Sequence, residues 1–186
     1  YHPESDGGLT MEHLTLLVKP ASSLCGLRCR YCFYEDVSDS RQIKSMGRMT
    51  EETVRHLLTA GVQAVGEQGT IQITFQGGEP TLAGLDFYRS FLELERELCP
   101  PAVQISHSIQ TNGMTLDGEW AAFLGEHGFL VGLSLDGTRE IHNALRVDPQ
   151  GKGTWDRAAR ALALLDQAGT ETNLLCVVTG QLARSP

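Results

Sequence analysis

Short apolar runs alternate with segments of helical periodicity along most of this chain. Five runs are rich in β-branched residues and have the length of strands, and they cover residues 14–19, 71–76, 103–110, 129–135 and 172–179. Strands that alternate with helices form βα units, whose strands pair in parallel through right-handed crossovers. The sequence therefore predicts an α/β fold with a parallel sheet of about five strands.

Four segments have the spacing and the end signals of helices. Thr50 and Asp117 stand where N-caps are expected, and Gly128 and Gly169 stand where helices end. We expect helices within residues 49–69, 84–99, 117–128 and 154–169.

Polar sequence clusters follow each of the first four strands. They are a cysteine loop, "GGEP", "QTNG" and "DG". The carboxyl ends of parallel strands lie at one edge of a sheet, where α/β enzymes place their sites. We therefore expect these clusters to meet in one functional site.

The cysteine loop, "SSLCGLRCRYCFYED", carries Cys25, Cys29 and Cys32 in the spacing C-x3-C-x2-C. Three closely spaced thiolates can each bind one iron of a [4Fe–4S] cluster and leave the fourth iron open for chemistry. A zinc site completed by a distant His or Asp is the main alternative. Disulfides rank lower, because the sequence shows no export signal and clustered thiols in a reducing compartment usually bind metal.

The "GGEP" cluster suits close approach to a ligand. Gly77 and Gly78 have no side chain, so the backbone can contact a ligand directly, and Glu79 offers an acceptor for an ammonium group. Pro80 stiffens the exit of the loop. Taken alone, the same letters also describe a plain turn.

The cysteine spacing, with Tyr31 directly before the third cysteine, resembles the signature of radical S-adenosylmethionine (SAM) enzymes. The resemblance implies that SAM chelates the open iron and that the reduced cluster cleaves it to a 5′-deoxyadenosyl radical. It also implies SAM contacts from Tyr31 and from Gly77, Gly78 and Glu79, of which "GGE" holds the amino group. Gln110 would contact the ribose, and Ser134 and Arg146 would hold the carboxylate, for which a planar guanidinium is suited.

Within that superfamily, six stretches resemble the anaerobic sulfatase-maturating enzymes in order and spacing: "CRYCFY", "FQGGEPTLAGLDFY", "QTNG", "FLVGLSLDG", "IHNALR" and "GKGTW". The resemblance implies a partial (β/α)6 barrel that oxidises a Cys or Ser of an unfolded sulfatase polypeptide to Cα-formylglycine. Tyr34 and Gln76 would line the peptide pocket near the reacting side chain. A flavodoxin- or ferredoxin-type protein would donate electrons.

The chain also departs from the family pattern. Gly26 stands where the family usually has Asn, and Cys99 and Cys176 are too few for the cysteine-rich SPASM region with its two auxiliary clusters. Cys176 lies in an apolar run and is expected to be a small buried side chain. Because the SPASM cysteines are missing, we expect residues 13–186 to form a truncated radical SAM core with about five βα units, which could be inactive alone. Residues 1–12 are expected to form a flexible leader, with Met11 as a candidate start.

Charge and hydropathy limit the partners. The net charge is −8 and no basic cluster stands out, which argues against nucleic acid and anionic membranes as partners. No apolar run reaches membrane-spanning length and no secretory signal begins the chain, so we expect a cytoplasmic protein. Two other functions stay open: another SPASM-type peptide maturase, and a non-catalytic iron–sulfur or zinc protein without a SAM pocket.

Overall fold

The computed structural model describes residues 11–34, 40, 42–43 and 45–184. Most of the predicted leader lies outside this part of the chain. Its last two residues are held by the fold, because Met11 N donates to Ala64 O at 2.9 Å and Thr70 N donates to Glu12 O at 2.9 Å.

Five parallel strands form one sheet in the order β1-β2-β3-β4-β5. The strands are β1 His13–Val18, β2 Thr70–Phe75, β3 Gln104–Thr111, β4 Leu130–Ser134 and β5 Thr172–Leu175. The first and last strands of this order do not pair with each other, so the described sheet is open. The predicted α/β fold is confirmed, with five parallel strands; in the described residues the first four are followed by α-helices and the fifth by a 3-10 helix.

Five α-helices occur in the described residues. They are α1 Glu51–Val65, α2 Leu85–Leu98, α3 Gly118–Glu126, α4 Arg139–Leu145 and α5 Trp155–Gln167, with 3-10 helices at Pro80–Ala83 and Leu182–Arg184. The predicted N-caps form: the side chain of Thr50 accepts from Thr53 N and that of Asp117 from Trp120 N. None of these helices has the length and apolar character that crossing a bilayer requires.

Helix α4 was not predicted from the sequence. It has only seven residues, which is too short for a helical repeat of apolar positions to stand out. Its beginning is nevertheless encoded locally, since the Thr138 side chain accepts a hydrogen bond from Ile141 N.

Aromatic side chains fill the space between the sheet and the helices. Phe75 is fully buried, and its ring meets Tyr88 and Phe91 edge-on at centroid distances of 5.0 and 5.1 Å. The Tyr88 hydroxyl donates to Pro80 O at 2.9 Å. The core of the domain thus fixes the loop that follows β2.

The prediction that Cys176 is buried in the last strand is wrong. Strand β5 ends at Leu175, and Cys176 is exposed. Beyond the end of β5, Val177 N donates to the Asp136 carboxylate at 3.0 Å. β5 is also an edge strand of the described sheet, so its side chains lack the cover that a central strand has.

Candidate active site

One cavity of about 320 Å³ opens at the carboxyl edge of the sheet, where the polar clusters meet. All twelve site residues expected from the sequence line it: Cys25, Cys29, Tyr31, Cys32, Tyr34, Gln76, Gly77, Gly78, Glu79, Gln110, Ser134 and Arg146. Five further residues complete the lining: Leu27, Phe33, Thr111, Asn112 and Val177. The structure thus brings the expected residues together, while the ligand of each remains a prediction.

The cysteine loop is attached to the segment after α4 by backbone hydrogen bonds. Arg28 N donates to Val147 O at 2.8 Å, and Arg30 N donates to Leu145 O at 2.9 Å. A turn within the loop, from Cys32 N to Cys29 O at 3.0 Å, brings these two cysteines close in space. Hydrogen bonds at Arg28, Arg30 and Cys32 therefore hold the backbone that carries the thiols.

The two glycines after β2 let this loop contact the cysteine loop directly. Gly78 N donates to Ser22 O at 3.1 Å, and Glu79 N donates to Leu24 O at 2.6 Å. A Cβ atom on Gly78 would lie 2.2 Å from Leu24 O, and one on Gly77 would lie 2.7 Å from Ser22 O. No side chain fits between the two loops.

Gly78→Ala is expected to force the two loops apart, because the atoms that its methyl group meets belong to the backbone. We expect a loss of at least about 1–3 kcal/mol in the free energy of unfolding, and poor cluster incorporation. Gly26→Ala is the matched control, since a Cβ at Gly26 meets nothing within 4 Å. Urea unfolding and iron content measure the two effects, and equal values for both variants would contradict the steric account.

Glu79 is buried and its carboxylate is held from several sides. Oε1 accepts from the backbone and side chain of Thr81 and from the Thr111 hydroxyl, and Oε2 accepts from Asn112 N at 2.7 Å. Burial raises the pKa of this carboxyl, although the hydrogen bonds act in the opposite direction. Within the described part of the chain no cation pairs with Glu79, so the cavity offers a negative group to a cationic ligand.

Asp136 belongs to the "DG" cluster after β4, but the sequence reasoning assigned it no role. Its fully buried carboxylate accepts from Arg146 Nε at 2.9 Å and Nη2 at 3.2 Å, from Val177 N, and from the hydroxyl of Tyr31. Burial alone would raise the pKa of Asp136, but these hydrogen bonds outweigh it and lower the pKa. One carboxylate thus joins the cysteine loop, the end of β4, the residue after α4 and the segment after β5.

His142 supports Asp136 from behind the cavity and is itself buried. Its Nδ1 accepts from Asp136 N at 3.3 Å, which places the ring proton on Nε2, 3.1 Å from the Thr154 hydroxyl. That hydroxyl donates to Arg146 O at 3.0 Å. Burial lowers the pKa of His142, and nearby Arg146 lowers it further. The neutral ring is therefore part of the folded structure, where it holds the backbone of Asp136 by a hydrogen bond.

Acidification is expected to destabilise the fold through His142. Because the pKa of this residue is lower in the folded than in the unfolded chain, stability is lost as pH falls below about 6.5, where the unfolded chain takes up the proton first. His142→Asn should make the fall in melting temperature between about pH 7 and pH 5 less steep. His56→Asn, at an exposed position of α1, should not. Identical pH slopes for the wild type and His142→Asn would refute this role.

Burial favours the protonated form of two of the thiols that face the cavity, those of Cys25 and Cys29. Burial raises the pKa of Cys25, and it raises the pKa of Cys29 to about 11. Metal binding to these sulfurs would therefore displace protons. Among the described residues, no group of three His, Cys, Asp or Glu side chains could hold one metal ion. Three thiols around a cavity fit a cluster better, since each thiolate binds a different iron.

The comparisons with known proteins agree with this arrangement. The radical SAM superfamily matches residues 20–183. The chain belongs to the radical SAM superfamily. A cysteine-type anaerobic sulfatase-maturating enzyme of Clostridium perfringens is 46% identical over 174 residues, covering 94% of this chain and 46% of that enzyme. A serine-type enzyme of Klebsiella aerogenes is 38% identical over 169 residues, covering 90% and 40%.

A solved structure of native anSMEcpe with bound AdoMet (SAM) and Cp18Cys peptide has the same fold. Its TM-score is 0.85 at 43% identity, covering 93% of this chain and 45% of that chain. The radical SAM chain described here thus spans less than half the length of these curated relatives.

Proposed function

We propose that this radical SAM chain binds a [4Fe–4S] cluster and SAM in the cavity, as part of an enzyme that oxidises a Cys or Ser of a sulfatase polypeptide to Cα-formylglycine. The observation that carries the proposal is the meeting of all twelve expected residues around one cavity. Relatives named cysteine-type and serine-type sulfatase-maturating enzymes match 94% and 90% of the chain and support the substrate class.

Cys25, Cys29 and Cys32 would hold the cluster. Three thiolates leave one iron of four without a protein ligand, and an open metal position is what a metal needs to bind a reactant. When bound, cluster and SAM together supply the 5′-deoxyadenosyl radical that removes a hydrogen from the substrate Cβ. The role of the chain is to hold both groups next to each other and next to the peptide.

The SAM contacts that the resemblance implies fit the charges around the cavity. Glu79, with no cation paired to it in the described chain, and the backbone of Gly77 and Gly78 would receive the amino group. Ser134 and Arg146 would bind the carboxylate. Asp136 uses Nε and Nη2 of the guanidinium, which leaves Arg146 Nη1 for the ligand.

The remaining cofactor residues lie beside these groups at the same edge of the sheet. Gln110 on β3 is exposed at the cavity and would contact the ribose. The Tyr31 hydroxyl donates to Asp136, and the Arg146 guanidinium carbon lies 5.4 Å from the centroid of the Tyr31 ring. The cysteine loop and the residues proposed to bind the SAM carboxylate would therefore form one unit.

Tyr34 and Gln76 would face the substrate peptide. Gln76 is fixed at the end of β2, where its backbone N donates to Val18 O at 2.9 Å. The Tyr34 ring carries the Lys19 ammonium 5.1 Å from its centroid, which orients the aromatic side chain at the mouth of the cavity. A flavodoxin- or ferredoxin-type protein is the proposed electron donor, and the cytoplasm is the proposed location.

The test is SAM-dependent oxidation of a peptide. The protein is reconstituted anaerobically with iron and sulfide, reduced with dithionite and incubated with SAM and a cysteine-containing or a serine-containing sulfatase peptide. Mass spectrometry should show formylglycine, and aldehyde labelling should confirm it. Oxidation of an unrelated cysteine-containing peptide, with the sulfatase peptides left unchanged, would refute the sulfatase substrate and favour another peptide maturase. A reconstituted four-iron cluster that does not respond to SAM would favour a non-catalytic iron–sulfur protein.

A further inference from the structure

Asn112 places a side-chain donor against one of the three cysteine sulfurs. It follows β3, is 8% exposed, and its Nδ2 lies 3.6 Å from Cys25 Sγ, within hydrogen-bonding range for sulfur. None of the ligand roles derived above uses this contact.

The orientation of the amide is determined by its other contacts. Asn112 Oδ1 accepts from Met114 N at 2.9 Å, so the oxygen is identified and the NH2 group must be the end that faces sulfur. The backbone of Asn112 is fixed as well, because its N–H donates to Glu79 Oε2 at 2.7 Å. The donor is therefore held in position before any ligand binds.

The sulfur of Cys25 accepts hydrogen bonds that the other two cysteine sulfurs of the loop do not accept in the described residues. Leu27 N also donates to Cys25 Sγ, at 3.4 Å, so this sulfur receives two hydrogen bonds. In the described residues, no such bond reaches Cys29 or Cys32. The hydrogen bonding around the three sulfurs is thus asymmetric.

Hydrogen bonds to the cysteine sulfurs tune the reduction potential of a bound iron–sulfur cluster. A donor interacts more strongly with sulfur as negative charge on it grows, so it favours the reduced form and raises the potential. We infer that Asn112 acts on the bound cluster through Cys25: its amide donates a hydrogen bond to the Cys25 thiolate and raises the reduction potential, so that the cluster is easier to reduce. The inference rests on the cluster assignment made under the proposed function.

The experiment is a redox titration of the reconstituted 186-residue chain, followed by electron paramagnetic resonance. Asn112→Ala removes the donor and should lower the midpoint potential, by a shift of about tenfold in the reduction equilibrium, or about 59 mV for one electron. Asn112→Asp keeps the shape, removes the donor and adds negative charge, so its shift should have the same sign and be at least as large. Asn173→Asp, exposed on β5 and not lining the cavity, is the control and should leave the potential unchanged.

A second readout detects the hydrogen bond itself. After exchange into D2O, electron–nuclear double resonance of the reduced wild type should show exchangeable couplings from two donors, and both Asn112 variants should lose one of them. Unchanged midpoint potentials in the two variants, at wild-type iron and sulfide content, would overturn the inference while leaving the cluster assignment intact. Failure of the wild type to bind four irons would overturn both.

Discussion

Cys29→Ala is expected to abolish the four-iron cluster and, with it, all formation of 5′-deoxyadenosine. Cys29 lies on the cavity with Cys25 and Cys32, and a cluster held by three thiolates on one short loop has no spare protein ligand. In the described residues, the two other cysteines, Cys99 and Cys176, do not line the cavity. Neither can replace the missing sulfur without moving the loop.

The measurement is iron and sulfide content, together with the electron paramagnetic resonance spectrum after dithionite reduction. Cys176→Ala is the matched control, because it also removes one thiol but at an exposed position. It should retain wild-type values. A variant at Cys29 that still carries four irons and four sulfides per chain would show that the loop is not the cluster site.

Asp136→Asn is expected to destabilise the protein strongly and to weaken SAM binding. The carboxylate is the partner of Arg146 in a pair of which both members are buried, and removing one member of a buried ion pair costs about 3–5 kcal/mol, since the other charge stays unpaired. It would also release Tyr31 and Val177 N, which both donate to Asp136. Urea unfolding of the metal-free protein and calorimetric titration of the reconstituted protein with SAM measure the two effects.

A double variant separates the structural effect from the effect on binding. Asp136→Asn combined with Arg146→Gln removes both charges of this pair, so much of the lost stability should return. SAM binding should not return, because the guanidinium proposed to hold its carboxylate is gone. Wild-type stability and wild-type SAM affinity in Asp136→Asn alone would contradict the role assigned to this residue.

The meeting of the site's segments could be predicted from topology, whereas the choice of individual residues rested on the resemblance to radical SAM enzymes. Once the strands are recognised as parallel, their carboxyl ends must meet at one edge, so Cys25, Gly77, Gln110 and Ser134 had to converge although they are far apart in sequence. The helical periodicity of α1, α2 and α5 likewise predicted these three helices.

What escaped prediction depends on contacts that no local pattern records. Asn112 and Asp136 lie in the "QTNG" and "DG" clusters, but the sequence indicated a partner for neither. Only the folded chain shows Asp136 paired with Arg146 and Asn112 facing Cys25. The burial of Cys176 was predicted wrongly for the same reason. The apolar run suggested a covered strand, whereas β5 ends at Leu175 and lies at the edge of the described sheet.

The central claim is that three thiols and a SAM pocket act together in one cavity. The most direct test is anaerobic reconstitution of the chain, reduction with dithionite in the presence of SAM, and quantification of 5′-deoxyadenosine. The account predicts product from the wild type and from Cys176→Ala, and none from Cys29→Ala or without SAM. An intact four-iron cluster whose spectrum does not change when SAM is added, and which yields no 5′-deoxyadenosine, would contradict it.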